Sequence, residues 1–301
     1  MTITPSSAVP TPSGVYSAKE LVAQAFDGIE QVWKEPREAS TDLLSTGFAD
    51  LDAMTLGLRR GSLVVLAGST GMGKTALALN LARNICLRGD VAVHICALDS
   101  SPTLLLQRML TSLCLVERGR IDSSRLTQED WPRLGEAMAQ LSAAPLFFSG
   151  QSISSVAAIR SRCQELAIQS TQPLGLVVID SLQLLAGVPA EQLKDLRLLA
   201  AELDACVLLT CQSLPSVELR PGGTPLLHDL PALDAMQTYP HVIGMLHREE
   251  FWNPDTITRG QAQLVLVKNS DNPVGTLKLR FEPMFSQFLE ADAPSSVTQL
   301  D

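Results

Sequence analysis

The 301 residues are 46% hydrophobic and 18% charged, which excludes a disordered or low-complexity chain and supplies apolar material for a large core. The formal net charge of −9 excludes a uniformly basic nucleic-acid binder, although a local basic footprint fits within an acidic total. No apolar run approaches the ~18 residues of a membrane span, and the start, MTITPSSAVPTPSG, has no basic region leading into an apolar stretch. No membrane contact is expected, and a cytoplasmic location is the default.

In chain order, residues 1–15 are rich in Pro, Ser and Thr and are expected to be a disordered tail, as is 291–301. A helix is expected within 16–40. Val22, Phe26, Ile29 and Trp33 repeat at i, i+4, i+7 and i+11, and Pro36 ends the pattern. It packs either on its own domain or, as an arm, on a neighbouring subunit, and composition leaves both open.

From residue 41 to 290 strand and helix signals alternate. Short β-rich runs occur at 62–67, 91–98, 146–148, 176–179, 206–211, 242–246, 262–267 and 276–281, with helical patterns at 74–88, 102–116, 127–142, 153–169 and 189–204. Continuous apolar strands between helices indicate an α/β domain with a mainly parallel sheet flanked by helices. The last strands, joined by short turns, are expected to be antiparallel at the C-terminal edge. Six cysteines form no C-x-x-C pair and sit in apolar runs, as reduced core residues do. The four histidines lack metal-ligand spacing, so no zinc site is expected.

Gly68, Ser69, Thr70, Gly71, Met72, Gly73, Lys74 and Thr75 form a G-x₄-G-K-T loop between the apolar run Leu63–Leu66 and the helical pattern from Ala76. Glycines let main-chain N–H groups close on phosphate oxygens, and the helix N-terminus adds partial positive charge. Lys74 is expected at the β- and γ-phosphates and Thr75 on Mg²⁺, which makes the chain a P-loop binder of ATP. Asp180 ends the apolar run Leu176–Ile179 and is expected to hold Mg²⁺ through water. Asp99 ends the run from Val91 and Gln212 the run from Val207. The first suits a general base for the attacking water and the second a γ-phosphate sensor, or each is a strand-end residue that caps a helix or satisfies a loop.

Ser45–Asp52, Gly57-Leu58 and the phosphate loop resemble the opening of the ATPase domain of DnaB-type replicative helicases. So do Ile179–Leu184, Asp229-Leu230, Arg248–Glu250, and Lys268 with Pro273–Thr276. The resemblance spans residues 17–290 and does not reach the family's N-terminal helical domain. It implies a RecA-like domain, a homo-oligomeric, hexameric ring with ATP at each subunit boundary, single-stranded DNA as a partner, and an early helix that docks on the adjacent subunit as a linker.

The departures from the family pattern are specific. Asp99 stands where the family has a catalytic Glu, one methylene longer; a displacement near 1 Å costs roughly 10²-fold in rate. Ser270 stands where an arginine finger is expected, a loss of roughly 10³–10⁵ in kcat, and Lys268 is left to supply part of that charge. In the channel segment Asp229–Asp234 an arginine has become Pro231 and Asp234 adds a carboxylate. Cations in such a segment carry the grip on phosphates; Arg220, Lys194 and Arg197 either compensate or are solvated surface charge. Three functions are therefore weighed: a DNA-unwinding motor, a hydrolysis-weakened nucleotide-binding ring or regulator derived from it, and a RecA-like signalling ATPase. The run Ile179–Leu184 counts against the third.

Overall fold

The computed structural model describes residues 43–151, 153–270, 272–291 and 298–299. The expected tail at 1–15 and the helix within 16–40 lie outside the described residues. β1 (Leu43–Leu44) pairs antiparallel with β2 (Leu58–Arg59), and α1 (Ala49–Thr55) lies between them. Asp52 holds this unit together. Its carboxylate accepts from Ser45 Oγ at 2.7 Å, Thr46 N at 2.9 Å and Thr46 Oγ1 at 2.7 Å. The Ser45–Asp52 motif is therefore architectural.

The remaining strands form one sheet. In chain order the elements are β3 (Leu63–Gly68), α2 (Lys74–Cys86), β4 (Ala92–Ala97), α3 (Pro102–Cys114), α4 (Arg118–Asp122), α5 (Asp130–Ala143), β5 (Leu146–Ser149), α6 (Val156–Gln169), β6 (Leu174–Asp180), α7 (Pro189–Leu203), β7 (Cys206–Gln212), α8 (Leu233–Thr238), β8 (Val242–His247), β9 (Gln261–Asn269), β10 (Gly275–Glu282), β11 (Gln287–Glu290) and β12 (Thr298–Gln299). The sheet order is β11-β10-β9-β8-β3-β7-β6-β4-β5, with β12 on β10. β3 to β8 run parallel, and β9, β10, β11 and β12 antiparallel. Thr298–Gln299 thus pair with β10 inside the tail 291–301.

Every residue of β3, β4 and β6 is buried, as expected of strands covered on both faces. One core, from Leu66, Leu77, Ile95 and Phe288, lies between the sheet and α2 and α3. The other, from Leu63, Ile159, Leu193 and Leu209, lies under α6 and α7. Parallel register aligns the strand ends that matter: Gly68 sits opposite Gln212, and Ala97 opposite Asp180. Crevices outside the carboxyl ends of parallel strands are where ligands bind in such sheets. Among the described residues no helix is long and apolar enough to cross a membrane, and the six cysteines are buried free thiols.

His94 on β4 is fully buried, with Nε2 at 2.7 Å from Ser149 Oγ and Nδ1 at 3.4 Å from Cys163 Sγ. Burial, with Arg162 nearby, lowers its pKa to about 4. The folded state therefore needs the neutral ring. That contribution is complete above pH 6.5, the ordinary value, and is lost as pH falls from there towards 4. Urea unfolding at pH 7, 5.5 and 4 should show wild type losing up to about 3 kcal/mol relative to His94→Gln across that window. A constant difference between the two proteins would contradict a buried neutral histidine.

Candidate nucleotide-binding site

β3 hands the chain to α2 through residues 68–73, whose glycines are required by geometry. Gly71 and Gly73 lie at φ +82° and +102°. A Cβ on Gly68 would stand 2.6 Å from the Leu246 carbonyl oxygen, on Gly71 2.8 Å from Phe251 Cε2, and on Gly73 2.9 Å from Phe288 Cζ. The loop is thus closed from behind by β8 and by two aromatic rings. Arg248 braces it further, donating to Gly71 O at 3.3 Å, bonding Glu250 through Nε at 3.0 Å and lying 4.3 Å over the Phe281 ring. Burial opposes ionisation of Glu250, but Arg248 and the Gly260 N–H outweigh it and hold the carboxyl below its usual range. What remains open is the front, where α2 begins.

There Lys74 Nζ donates to the Gly68 and Ser69 carbonyls, both at 2.9 Å. Burial pulls its pKa down, and the carboxylate of Asp180 opposes that pull. Thr75 Oγ1 donates to Asp180 Oδ2 at 2.8 Å, and Thr210 Oγ1 on β7 donates to Asp180 Oδ1. Asp180 is buried at the end of β6, so hydroxyls from α2 and β7 fix its carboxylate. Asp99 is exposed one step beyond Leu98, whose N–H donates to Asp180 O at 3.1 Å. The side chain of Gln212 is exposed, and its main chain is clamped by Gln183: Gln212 N donates to Oε1 at 3.2 Å, and Nε2 donates to Gln212 O at 3.1 Å.

A cleft of about 610 Å³ joins these groups, lined by Thr70, Gly71, Gly73, Lys74, Thr75, Asp99, Asp180 and Gln212 among others. The expected phosphate, metal and strand-end residues therefore meet in one place. Its chemistry fits a polyphosphate with a divalent cation: main-chain N–H groups at a helix start, one ammonium, one hydroxyl and one fixed carboxylate. Thr75 and Asp180 are the residues that would hold Mg²⁺. Sequence reasoning missed Gln183, Arg108 and Arg118, which also line the cleft. Gln183 lies within the apolar run after Asp180, where its spacing from the aspartate was the available signal.

Lys268 does not line this cleft. It pairs with Ile243 near the start of β8, and its Nζ donates to Gln237 O at 2.6 Å. Ser270 beside it donates through Oγ to His241 O at 3.0 Å. Of the three cations expected to compensate for Pro231, two are engaged within the chain. Arg220 bonds buried Asp229 at 2.8 and 2.9 Å, and Arg197 donates to Gly61 O at 3.0 Å, whereas Lys194 is exposed.

A phosphate loop at the end of β3, an acid at the end of β6, and a parallel sheet with an antiparallel extension define a RecA-like P-loop domain. Solved structures agree. The chain superposes on a solved ATPase domain with a TM-score of 0.82 and 26% identity, covering 93% of this chain and 100% of that one. A DnaB-like replicative helicase solved for its interactions with primase gives 0.80 at 26% identity, over 93% of this chain and 68% of that one. The RadB recombinase, at 19% identity and 0.54, shares the fold alone.

The model of the DnaB-like helicase C-terminal domain matches residues 44–290, and the chain belongs to that family. It is 30% identical over 291 residues to the replicative DNA helicase DnaB of Geobacillus stearothermophilus, and 29% identical over 290 to the replicative DNA helicase DnaC of Bacillus subtilis (strain 168). Each match covers 93% of this chain and 63% of the relative's length.

Gly73→Ala tests the cradle. The added Cβ needs a conformation L-residues rarely adopt and would meet Phe288, a cost of roughly 1–3 kcal/mol. Calorimetry with Mg-ATP should show affinity lowered on the order of 10-fold or more, with a reduced melting temperature. Unchanged affinity would show that the loop does not hold the phosphates.

Proposed function

We propose that this chain is an ATP-binding motor domain of the DnaB-like family, assembled as a hexameric ring. It couples attenuated ATP hydrolysis to movement on DNA or unwinding of DNA. The observation that carries the reading is the cradle at residues 68–75 with Thr75 bonded to Asp180.

In this reading the loop amides and Lys74 bind the phosphates, with Lys74 leaving the Gly68 and Ser69 carbonyls to do so. Thr75 and Asp180 would hold Mg²⁺, which would supply neutralising positive charge to the phosphates. Asp99, exposed at the cleft rim, takes the proton from the attacking water. Gln212, its main chain clamped by Gln183, carries the state of the γ-phosphate into β7 and the segment after it. Lys268, away from the cleft of its own chain, serves the cleft of the next subunit.

Attenuation is supported by two positions. Asp99 reaches one methylene less far than the glutamate its relatives' pattern calls for, and Ser270 offers no cation. A second reading, a nucleotide-binding ring or regulator with hydrolysis largely lost, draws on the same two positions. It also draws on Arg220, whose guanidinium is committed to Asp229 rather than available to phosphates.

Steady-state ATP turnover with and without single-stranded DNA, on protein whose solution mass is known, separates these. The motor is expected as a six-subunit assembly with a low rate that DNA raises several-fold. A flat, near-background rate favours the regulator, and absence of any calorimetric heat with Mg-ATP would sink both. The double variant Asp99→Glu with Ser270→Arg should raise turnover on the order of 10²-fold or more. No gain would refute the proposed cause of attenuation.

A further inference from the structure

The rear of the phosphate loop touches more than β8. Phe251, which closes Gly71 from behind, stands edge-on to Trp252, with ring centroids 5.6 Å apart. Trp252 is in turn covered by Gly223. A Cβ on Gly223 would lie 2.3 Å from Trp252 Cε2 and 2.4 Å from Nε1, so the bare backbone rests on the indole. The indole N–H is buried there without an acceptor among the described residues. Buried donors are normally paired and an unpaired one is costly; this one lies under Gly223.

Gly223 belongs to the segment between β7 and α8, and that segment is fixed on both sides of it. Gly223 N donates to Arg220 O at 2.9 Å, and the Arg220 guanidinium holds Thr224 O and Asp229. At the start of the segment, Ser213 N donates to Gly68 O at 3.1 Å, and Ser213 Oγ lies 3.2 Å from Ser69 Oγ. The turn that carries Phe251 and Trp252 is held as well. Trp252 N donates to Glu249 O at 2.9 Å, and the carboxylates of Glu249 and Glu250 accept from Thr258 Oγ1 and Gly260 N, both at 2.8 Å. Close-packed contacts between fixed segments pass a displacement on instead of absorbing it. Lifting Gly223 would break packing but release the unpaired N–H to water, so the contact has two settings with opposing costs.

We infer that Trp252 is a positioning residue for the phosphate loop, set by Gly223 and acting through Phe251 on Gly71. This rests on the nucleotide reading of the cleft and adds a way in which the segment between β7 and α8 governs the hold on phosphate. Such coupling is reciprocal. Phosphate held at residues 68–75 favours one setting of Gly223, and a contact made on the outer side of the segment alters affinity for the nucleotide.

The test is calorimetric affinity for a non-hydrolysable ATP mimic with Mg²⁺, on wild type, Gly223→Ala, Gly222→Ala, Trp252→Leu and the double variant Gly223→Ala with Trp252→Leu. Gly222 shares the left-handed backbone, with φ +72° against +60°, but nothing lies within 4 Å of its Cβ position. It therefore controls for backbone strain. Gly223→Ala should weaken the mimic on the order of 10-fold, and Gly222→Ala less than about 2-fold. Trp252→Leu removes the atoms that the new Cβ would meet. On that background Gly223→Ala should add less than about 2-fold, because changes at one contact are not additive. Should Gly223→Ala fail to fold, emission from Trp252 in protein carrying Trp33→Phe and Trp131→Phe is the readout, and the mimic should shift it. Unchanged affinity in Gly223→Ala, an equal loss in Gly222→Ala, additive losses in the double variant, or unshifted emission overturns the role of Trp252. Wild type that does not bind the mimic, or Lys74→Ala that binds it as wild type does, overturns the nucleotide reading itself.

Discussion

The hydrogen bond from Thr75 Oγ1 to Asp180 Oδ2, at 2.8 Å, is the point about which the cleft is organised. It joins the first turn of α2, the helix that follows β3, to the last residue of β6. Those two strands are not neighbours, because β7 lies between them. Thr210 from that intervening strand bonds the other carboxylate oxygen. Three consecutive strands of the sheet therefore converge on one buried acid. Shifting any register by one residue would turn one of these groups to the opposite face. The position of this carboxylate is thus a property of the parallel sheet rather than of a loop.

Much of this was legible from residues alone, for physical reasons. β3, β4, β6 and β7 are read from largely apolar runs because both their faces are covered, and G-x₄-G-K-T carries its geometry in its glycines. Asp180 follows from its place at the end of such a run. Groups that depend on distant packing were not legible. Phe251 and Phe288 are ordinary aromatics until the fold sets them against Gly71 and Gly73. Arg108 reads as one charge on an amphipathic helix until the helix axis brings it to the rim. Gln183 had a position in a recognised run but no role, because its partner is the main chain of another strand.

The charged residues show the same dependence. Arg220 in sequence reads as a channel cation or a solvated charge, and in the structure its guanidinium bonds Asp229 at 2.8 and 2.9 Å. It satisfies Asp229, whose burial opposes ionisation; the hydrogen bonds from Arg220, Leu226 N and Ser216 outweigh that penalty and hold the carboxyl below its usual range. Removing one member of such a pair leaves the other buried and uncompensated. The segment from Leu214 to Leu230 is thereby closed on itself, with Leu214 N donating to Asp229 O at 2.6 Å. Within this segment the guanidinium of Arg220 is bonded to the buried carboxylate of Asp229.

The rear wall of the phosphate loop has a consequence for how the chain acquires its shape. Arg248 reaches Gly71 across 177 positions of sequence, and Phe288 N donates to Asn80 of α2 across 208. Loop closure over such distances is entropically slow, and contacts of this range form late. β3 and α2 are close in sequence, yet the loop joining them has nothing behind it until β8, the turn after it and the hairpin of β10 and β11 pack there. The cradle at residues 68–73 is therefore complete only once the segments carrying Leu246, Phe251 and Phe288 have packed against it.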